Sequence, residues 1–120
     1  MRKLLLNVVI LLSVMQMTQA AENPFFGKFK TPFETPPFDQ IKTEHYEPAF
    51  DEGIHRMEKE IKAIAENPQP ATFANTIVAL ERAGKLLNTV SSVFFNVLSA
   101  EANDEMMEIS QRISPKLSEC

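Results

Sequence analysis

Cysteine is nearly missing from this 120-residue chain, whose one thiol, Cys120, is the last residue. No disulfide can close within it, so the fold rests on core packing or on further protein. A terminal thiol without ordered surroundings to activate it is also a poor nucleophile. Histidine is scarce as well: His45 and His55 stand ten residues apart. The His-Glu-x-x-His pattern, which sets two imidazoles one helical turn apart with a carboxylate beside a metal-bound water, is missing. His55 and Glu58 share a helical face, but that spacing is common on protein surfaces and weak as a metal site. With three glycines and no glycine-rich loop, nothing cradles a phosphate. Serines 91, 92, 99, 110, 114 and 118 lack a Gly-x-Ser-x-Gly elbow. These absences leave no catalytic, cofactor-binding or metal-binding residue to nominate in this chain.

Positive charge is in deficit. There are 12 basic and 16 acidic side chains, and Arg2 and Lys3 belong to a segment that reads as removable. Without them the balance is 10 to 16, a net charge near −6. An acidic chain repels nucleic-acid backbones and gains no electrostatic hold on anionic membranes. The carboxylates at Glu58 and Glu60, and at Glu101, Asp104, Glu105 and Glu108, read as solvated helix faces and a negatively charged first turn. Met106 and Met107 read as core filling.

What is present begins with a leader. Arg2 and Lys3 precede an apolar run from Leu4 to Met15, followed by Gln16, Thr18, Gln19, Ala20 and Ala21. A basic start, a short apolar core and a small-residue exit make a secretory signal peptide. Thr18 and Ala20 meet the small-residue requirement for cleavage after Ala20, with Ala21 the next choice. A retained anchor is the alternative, but the run is shorter than the roughly 20 residues that span a bilayer. The expectation is an exported chain with no stable membrane association after cleavage.

Residues 21–42 form the second unit. Pro24, Pro32, Pro36 and Pro37 are interleaved with Phe25, Phe26, Phe29, Phe33 and Phe38. The prolines forbid a continuous helix and weaken a central strand. The aromatics are foreign to solvated linkers, and no Pro-x-x-Pro spacing offers a ligand for proline-reading domains. An extended arm pinned to a large surface through its phenylalanines is expected.

Residues 43–120 are helical in pattern. Tyr46, Phe50, Ile54, Met57, Ile61 and Ile64 recur on one helical face. Pro48 is tolerated in a first turn, so a regular helix is expected to begin close to it, after a turn over Thr43–Glu47. Asn67, Pro68 and Pro70 end it. A second helix is expected from the N-cap Thr72, with Asn75 a competing cap, through Phe73, Ile77, Leu80, Leu87, Val90, Phe94 and Leu98. Gly84 within it marks a kink or a close contact. Asn103 or Asp104 caps a third helix carrying Met106, Ile109, Ile113 and Leu117, with Pro115 inside it. The architecture is all-α with an aromatic arm, and the pattern reads as unfinished at Cys120.

Read as a string, the chain is more specific than its composition. Asn-Pro-Phe-Phe at 23–26 leads to Thr-Pro-Phe-Glu-Thr-Pro-Pro-Phe-Asp at 31–39 and Ile-Lys-Thr-Glu-His-Tyr-Glu-Pro-Ala-Phe at 41–50. Then come Ile-Ala-Glu-Asn-Pro at 64–68, Thr-Phe-Ala-Asn-Thr-Ile-Val-Ala-Leu-Glu-Arg-Ala-Gly at 72–84, Val-Phe-Phe-Asn-Val at 93–97 and Pro-Lys-Leu at 115–117. Together these blocks resemble the N-terminal region of the thimet oligopeptidase-like zinc metallopeptidases, in the bacterial peptidyl-dipeptidase and oligopeptidase A branch.

The resemblance covers nearly everything after the leader. It implies a helical N-terminal portion of a larger two-lobed peptidase whose N-terminal helices wall a deep channel. It further implies that zinc, its ligands and the general base lie downstream and that short peptides are the substrates; the leader, independently, makes the expected location periplasmic or secreted. None of those catalytic positions has a counterpart here, so this chain alone is expected to bind no zinc and to be inactive. The missing catalytic region is then its implied partner. A stand-alone exported helical binding module is the alternative, and a chain completing a split peptidase is a third reading.

Overall fold

The computed structural model describes residues 22–120; the signal peptide expected at residues 1–20, with its cleavage point, lies outside them. Four α-helices follow an aromatic arm: α1 (Thr43–Ala65), α2 (Ala79–Arg82), α3 (Lys85–Ala100) and α4 (Asp104–Glu119). Two 3₁₀ turns, Pro24–Phe26 and Pro32–Glu34, interrupt the arm, and a π-helical stretch, Phe73–Val78, runs into α2. No strand occurs among the described residues, and none of their helices is long and apolar enough to cross a membrane.

The core forms where α1 meets α3 and α4. Tyr46, Ala49 and Phe50 of α1 bury against Leu87, Val90, Val93 and Phe94 of α3 and against Met106, Ile109 and Ile113 of α4. These positions follow the three-four spacing of one helical face. Phe94 meets Tyr46 at 5.0 Å and Phe50 at 5.4 Å between ring centroids, both edge-to-face, the arrangement favoured by aromatic quadrupoles. Met106 is buried as read, whereas Met107 is exposed.

Gly53 sets the spacing between the two main helices. A β-carbon built there would lie 3.0 Å from the Leu87 Cα and 3.1 Å from its backbone nitrogen. Only a residue without a side chain lets α1 and α3 approach this closely. Across the surface, the Arg112 guanidinium donates to both Glu47 carboxylate oxygens at 3.1–3.2 Å, and Lys116 pairs with Asp51 one turn on. Both pairs link α4 to α1 and are solvent-exposed, a setting in which each contributes about 0–1 kcal/mol.

Pro48 does not open α1, contrary to the sequence expectation; the helix begins five residues earlier, at Thr43. The Lys42 N–H donates to His45 Nδ1 at 2.9 Å, closing the first turn. Proline at the sixth helical position removes one hydrogen bond, the one otherwise donated to the Glu44 carbonyl. Glu44 itself lies on the exposed side of the helix.

The second expected helix is broken rather than kinked. Thr72 is its N-cap, accepting from the Asn75 N–H at 3.1 Å, while Asn75 Oδ1 accepts from the Thr72 N–H at 2.7 Å. Ala83 is extended and Gly84 is left-handed at φ 72°, a conformation that glycine adopts at little cost. In α4, Asn103 is the cap, accepting from the Met106 N–H at 2.9 Å. The helix runs through Pro115 to Glu119.

The arm is pinned at fewer points than expected. Phe25 and Pro37 are buried, and Phe29 and Ile41 pack at the core margin. Phe26, Phe33 and Phe38 are exposed, Phe33 fully so. The second 3₁₀ turn holds Phe33 (φ 59°) and Glu34 (φ 54°) in left-handed conformation.

Candidate functional site

Asn23 fastens the arm to the helices. Its Oδ1 accepts from the Phe25 N–H at 3.1 Å and its amide donates to the His45 carbonyl at 2.8 Å. That clamp sets Phe25 against Tyr46, 5.7 Å between ring centroids, and against Phe29 at 6.2 Å. An aromatic row thus runs from Phe29 through Phe25 and Tyr46 to Phe94. Burial pushes the Tyr46 hydroxyl pKa above its ordinary value of 10.0, because removal from water disfavours the phenolate.

Between this arm and the helices lies a groove of about 1180 Å³. Phe25, Phe26 and Phe29 form its arm side, Leu86 and Val93 its α3 side, and Glu81 and Arg82 its end at α2. Arg56 stands over the Phe26 ring at 5.9 Å and pairs with Glu52 at 2.6 Å. Glu60, which read as solvated, has a structural role: its Oε2 accepts from the Gly84 N–H at 2.8 Å and holds the break between α2 and α3. A smaller cleft of about 460 Å³ opens between α1 and α4, with Glu44, Glu105 and Arg112 on its walls.

A tetrahedral zinc site draws on three or four converging His, Cys, Asp or Glu ligands, and no group of three such side chains converges among the described residues. His45 commits Nδ1 to the Lys42 N–H. His55 and Glu58 are both exposed on α1. The described residues therefore do not fit a zinc ion, and no catalytic step is assigned to them. Ser99, Ser114 and Ser118 each donate to the carbonyl four residues earlier, at 2.6–2.9 Å. Cys120 is exposed. The groove's walls mix aromatic and aliphatic side chains with charged ones, Lys28, Arg56, Glu81 and Arg82 among them.

The sequence reading passed over Gly53 and the Asn23 clamp. Asn directly before Pro-Phe-Phe was the available signal for the clamp, since asparagine favours caps and local turns. Gly53 gave none, because its role depends on the separation of two helices.

Comparison with known proteins places this scaffold. No family model matches the chain. Over 97 residues, 81% of the chain, it is 48% identical to the dipeptidyl carboxypeptidase of Escherichia coli. Over 95 residues it is 43% identical to the dipeptidyl carboxypeptidase of Salmonella typhimurium. Over 89 residues it is 28% identical to oligopeptidase A of Escherichia coli. Over most of its length the chain is similar to peptidases of this branch. It spans 14% of the length of either dipeptidyl carboxypeptidase and 13% of that oligopeptidase A. The all-α architecture expected from the sequence is the one observed.

Proposed function

We propose that this chain is the N-terminal scaffold of an exported zinc peptidase that releases dipeptides from the C-terminal ends of short peptides. Its helices form part of the wall that limits which substrates reach the catalytic centre. Zinc, its ligands and the general base are supplied by polypeptide beyond these residues. The observation that carries the reading is the 48% identity over 97 residues to a dipeptidyl carboxypeptidase.

Export rests on the leader at residues 1–20, with cleavage after Ala20. The test is to recover the product from fractionated cells with an antibody raised against residues 22–120. Dipeptide release from a short peptide is then assayed with and without a chelator. Recovery from the periplasm with chelator-sensitive dipeptide release is expected. Recovery from the cytoplasm contradicts the export reading, and an intact product without peptidase activity contradicts the enzymatic one.

A further inference from the structure

The first turn of α1 begins without an ordinary cap. Its N-cap residue is Lys42, whose ammonium only donates and so satisfies none of the free N–H groups at a helix start. The bond that closes the turn runs the other way: the Lys42 N–H donates to His45 Nδ1 at 2.9 Å. A ring nitrogen that accepts carries no proton, so this contact selects the neutral imidazole with its hydrogen on Nε2. Protonated, the ring donates from both nitrogens and meets the Lys42 N–H donor to donor. The imidazolium would also set a positive charge at the positive end of the helix dipole.

His45 is at the same time the seat of the arm. Its carbonyl accepts from the Asn23 amide at 2.8 Å, and Asn23 Oδ1 accepts from the Phe25 N–H. Phe25 lies buried against Tyr46, the next residue of the turn. The helix start and the arm are thus fastened at one residue, of the kind whose charge ordinarily changes between about pH 5 and 8. The charged groups on the surrounding elements are otherwise placed. Glu47 is engaged by Arg112 of α4, and Glu44 and Glu105 line the α1–α4 cleft, which His45 does not. At this level α3 presents the apolar Phe94; its one charged residue, Lys85, stands at the start of that helix beside Gly84. On the arm, Glu22 precedes Asn23. Among the described residues no carboxylate forms an ion pair with His45.

We propose that His45 is a pH-sensitive latch: neutral, it closes the first turn of α1 and keeps the arm clamped, and protonated, it releases both. The inference goes beyond the peptidase reading and does not depend on it. The unfolded chain accepts either form of the ring, whereas the latched one accepts only the neutral form, so release takes up a proton. The stabilisation is therefore present above the histidine range and is lost as pH falls through it. Because Phe25, Phe26 and Phe29 form the arm side of the groove, release opens that wall.

The test compares amide exchange in the 120-residue chain at about pH 5 and about pH 8, each rate taken relative to an unstructured peptide at the same pH. Protection of the Lys42 and Phe25 amides is expected to fall at least about fivefold at the lower pH, the size of losing one such bond. Protection of Ile113, buried in α4, is expected to stay unchanged. In His45→Gln, whose side-chain oxygen accepts at either pH, protection is expected to hold at both. Equal protection of Lys42 at the two pH values in the parent overturns the latch. A fall of the same size in His45→Gln, or one shared by Ile113, overturns it too, because the proton then acts elsewhere. A fall at Lys42 with none at Phe25 overturns the link to the arm.

Discussion

Replacing Gly53 with alanine sets two opposing effects against each other. In a helix interior, glycine to alanine ordinarily stabilises by about 1 kcal/mol, because alanine loses less backbone entropy. Here the added methyl would sit 3.0 Å from the Leu87 Cα, 3.1 Å from its nitrogen and 3.2 Å from its Cβ. Two of those atoms are helix backbone and cannot rotate away, so α1 and α3 must separate by a few tenths of an ångström. Overpacking of this kind costs about 1–3 kcal/mol, and Phe50 and Phe94 lose contact as the helices part. The overpacking wins, with a net loss of about 0–2 kcal/mol once the propensity gain of about 1 kcal/mol is subtracted. For a domain near 100 residues each kcal/mol shifts the melting temperature by about 4–8 °C. Gly27→Ala is the control, since nothing lies within 4 Å of a β-carbon there and its φ of −119° suits any residue. Melting of both variants, followed by circular dichroism, should show Gly53→Ala lowered and Gly27→Ala unchanged or raised. A Gly53→Ala protein that melts higher than its parent refutes the close-approach argument.

Three further outcomes are expected. Phe25→Ala removes the aromatic that fastens the arm and should cost about 3–5 kcal/mol, with hydrogen exchange of residues 23–29 rising more than that of α4. The Tyr46 pKa is raised on folding, so the folded chain holds that proton more tightly than the unfolded one. This contribution to stability is complete below pH 10 and declines as pH climbs through the raised folded value. Urea midpoints measured against pH should show that alkaline step in the parent and lose it in Tyr46→Phe. Arg112→Ala and Glu47→Ala, combined in a double-mutant cycle, should give a coupling of about 0.2–1 kcal/mol that shrinks with added salt; a coupling well above that range contradicts the exposed character of the pair.

How far the sequence revealed this molecule depends on the range of the forces involved. Helical periodicity is local, so the apolar face from Tyr46 to Met57 and the caps at Thr72 and Asn103 were legible from spacing and residue type. Pro48 misled because its cost is a single lost hydrogen bond near the helix start, which a 23-residue helix sustains. Gly84 was correctly singled out, yet its effect was underestimated, since the Glu60 acceptor and the packing of Met57 are supplied by another helix. The five arm phenylalanines looked equivalent as a string. Only the Asn23 clamp and the left-handed turn at Phe33 and Glu34 distinguish the buried Phe25 from its exposed neighbours. Phe73, Ile77 and Leu80 were expected on one helix with Leu87, Val90 and Phe94; a break in the backbone, invisible to periodicity, leaves them exposed. The candidate site followed the same division: the family blocks were readable, and the groove between arm and helices depends on contacts distant in sequence.

The central claim, that these residues are the scaffold of a larger exported peptidase, is tested most directly by the intact mass of the native product after export. The 120 residues alone weigh 13.6 kDa, and loss of the leader would leave about 11 kDa. A mass several-fold larger, with the N-terminus at Ala21, is the predicted result. A native product of about 11 kDa would contradict the account and return the chain to a small helical module.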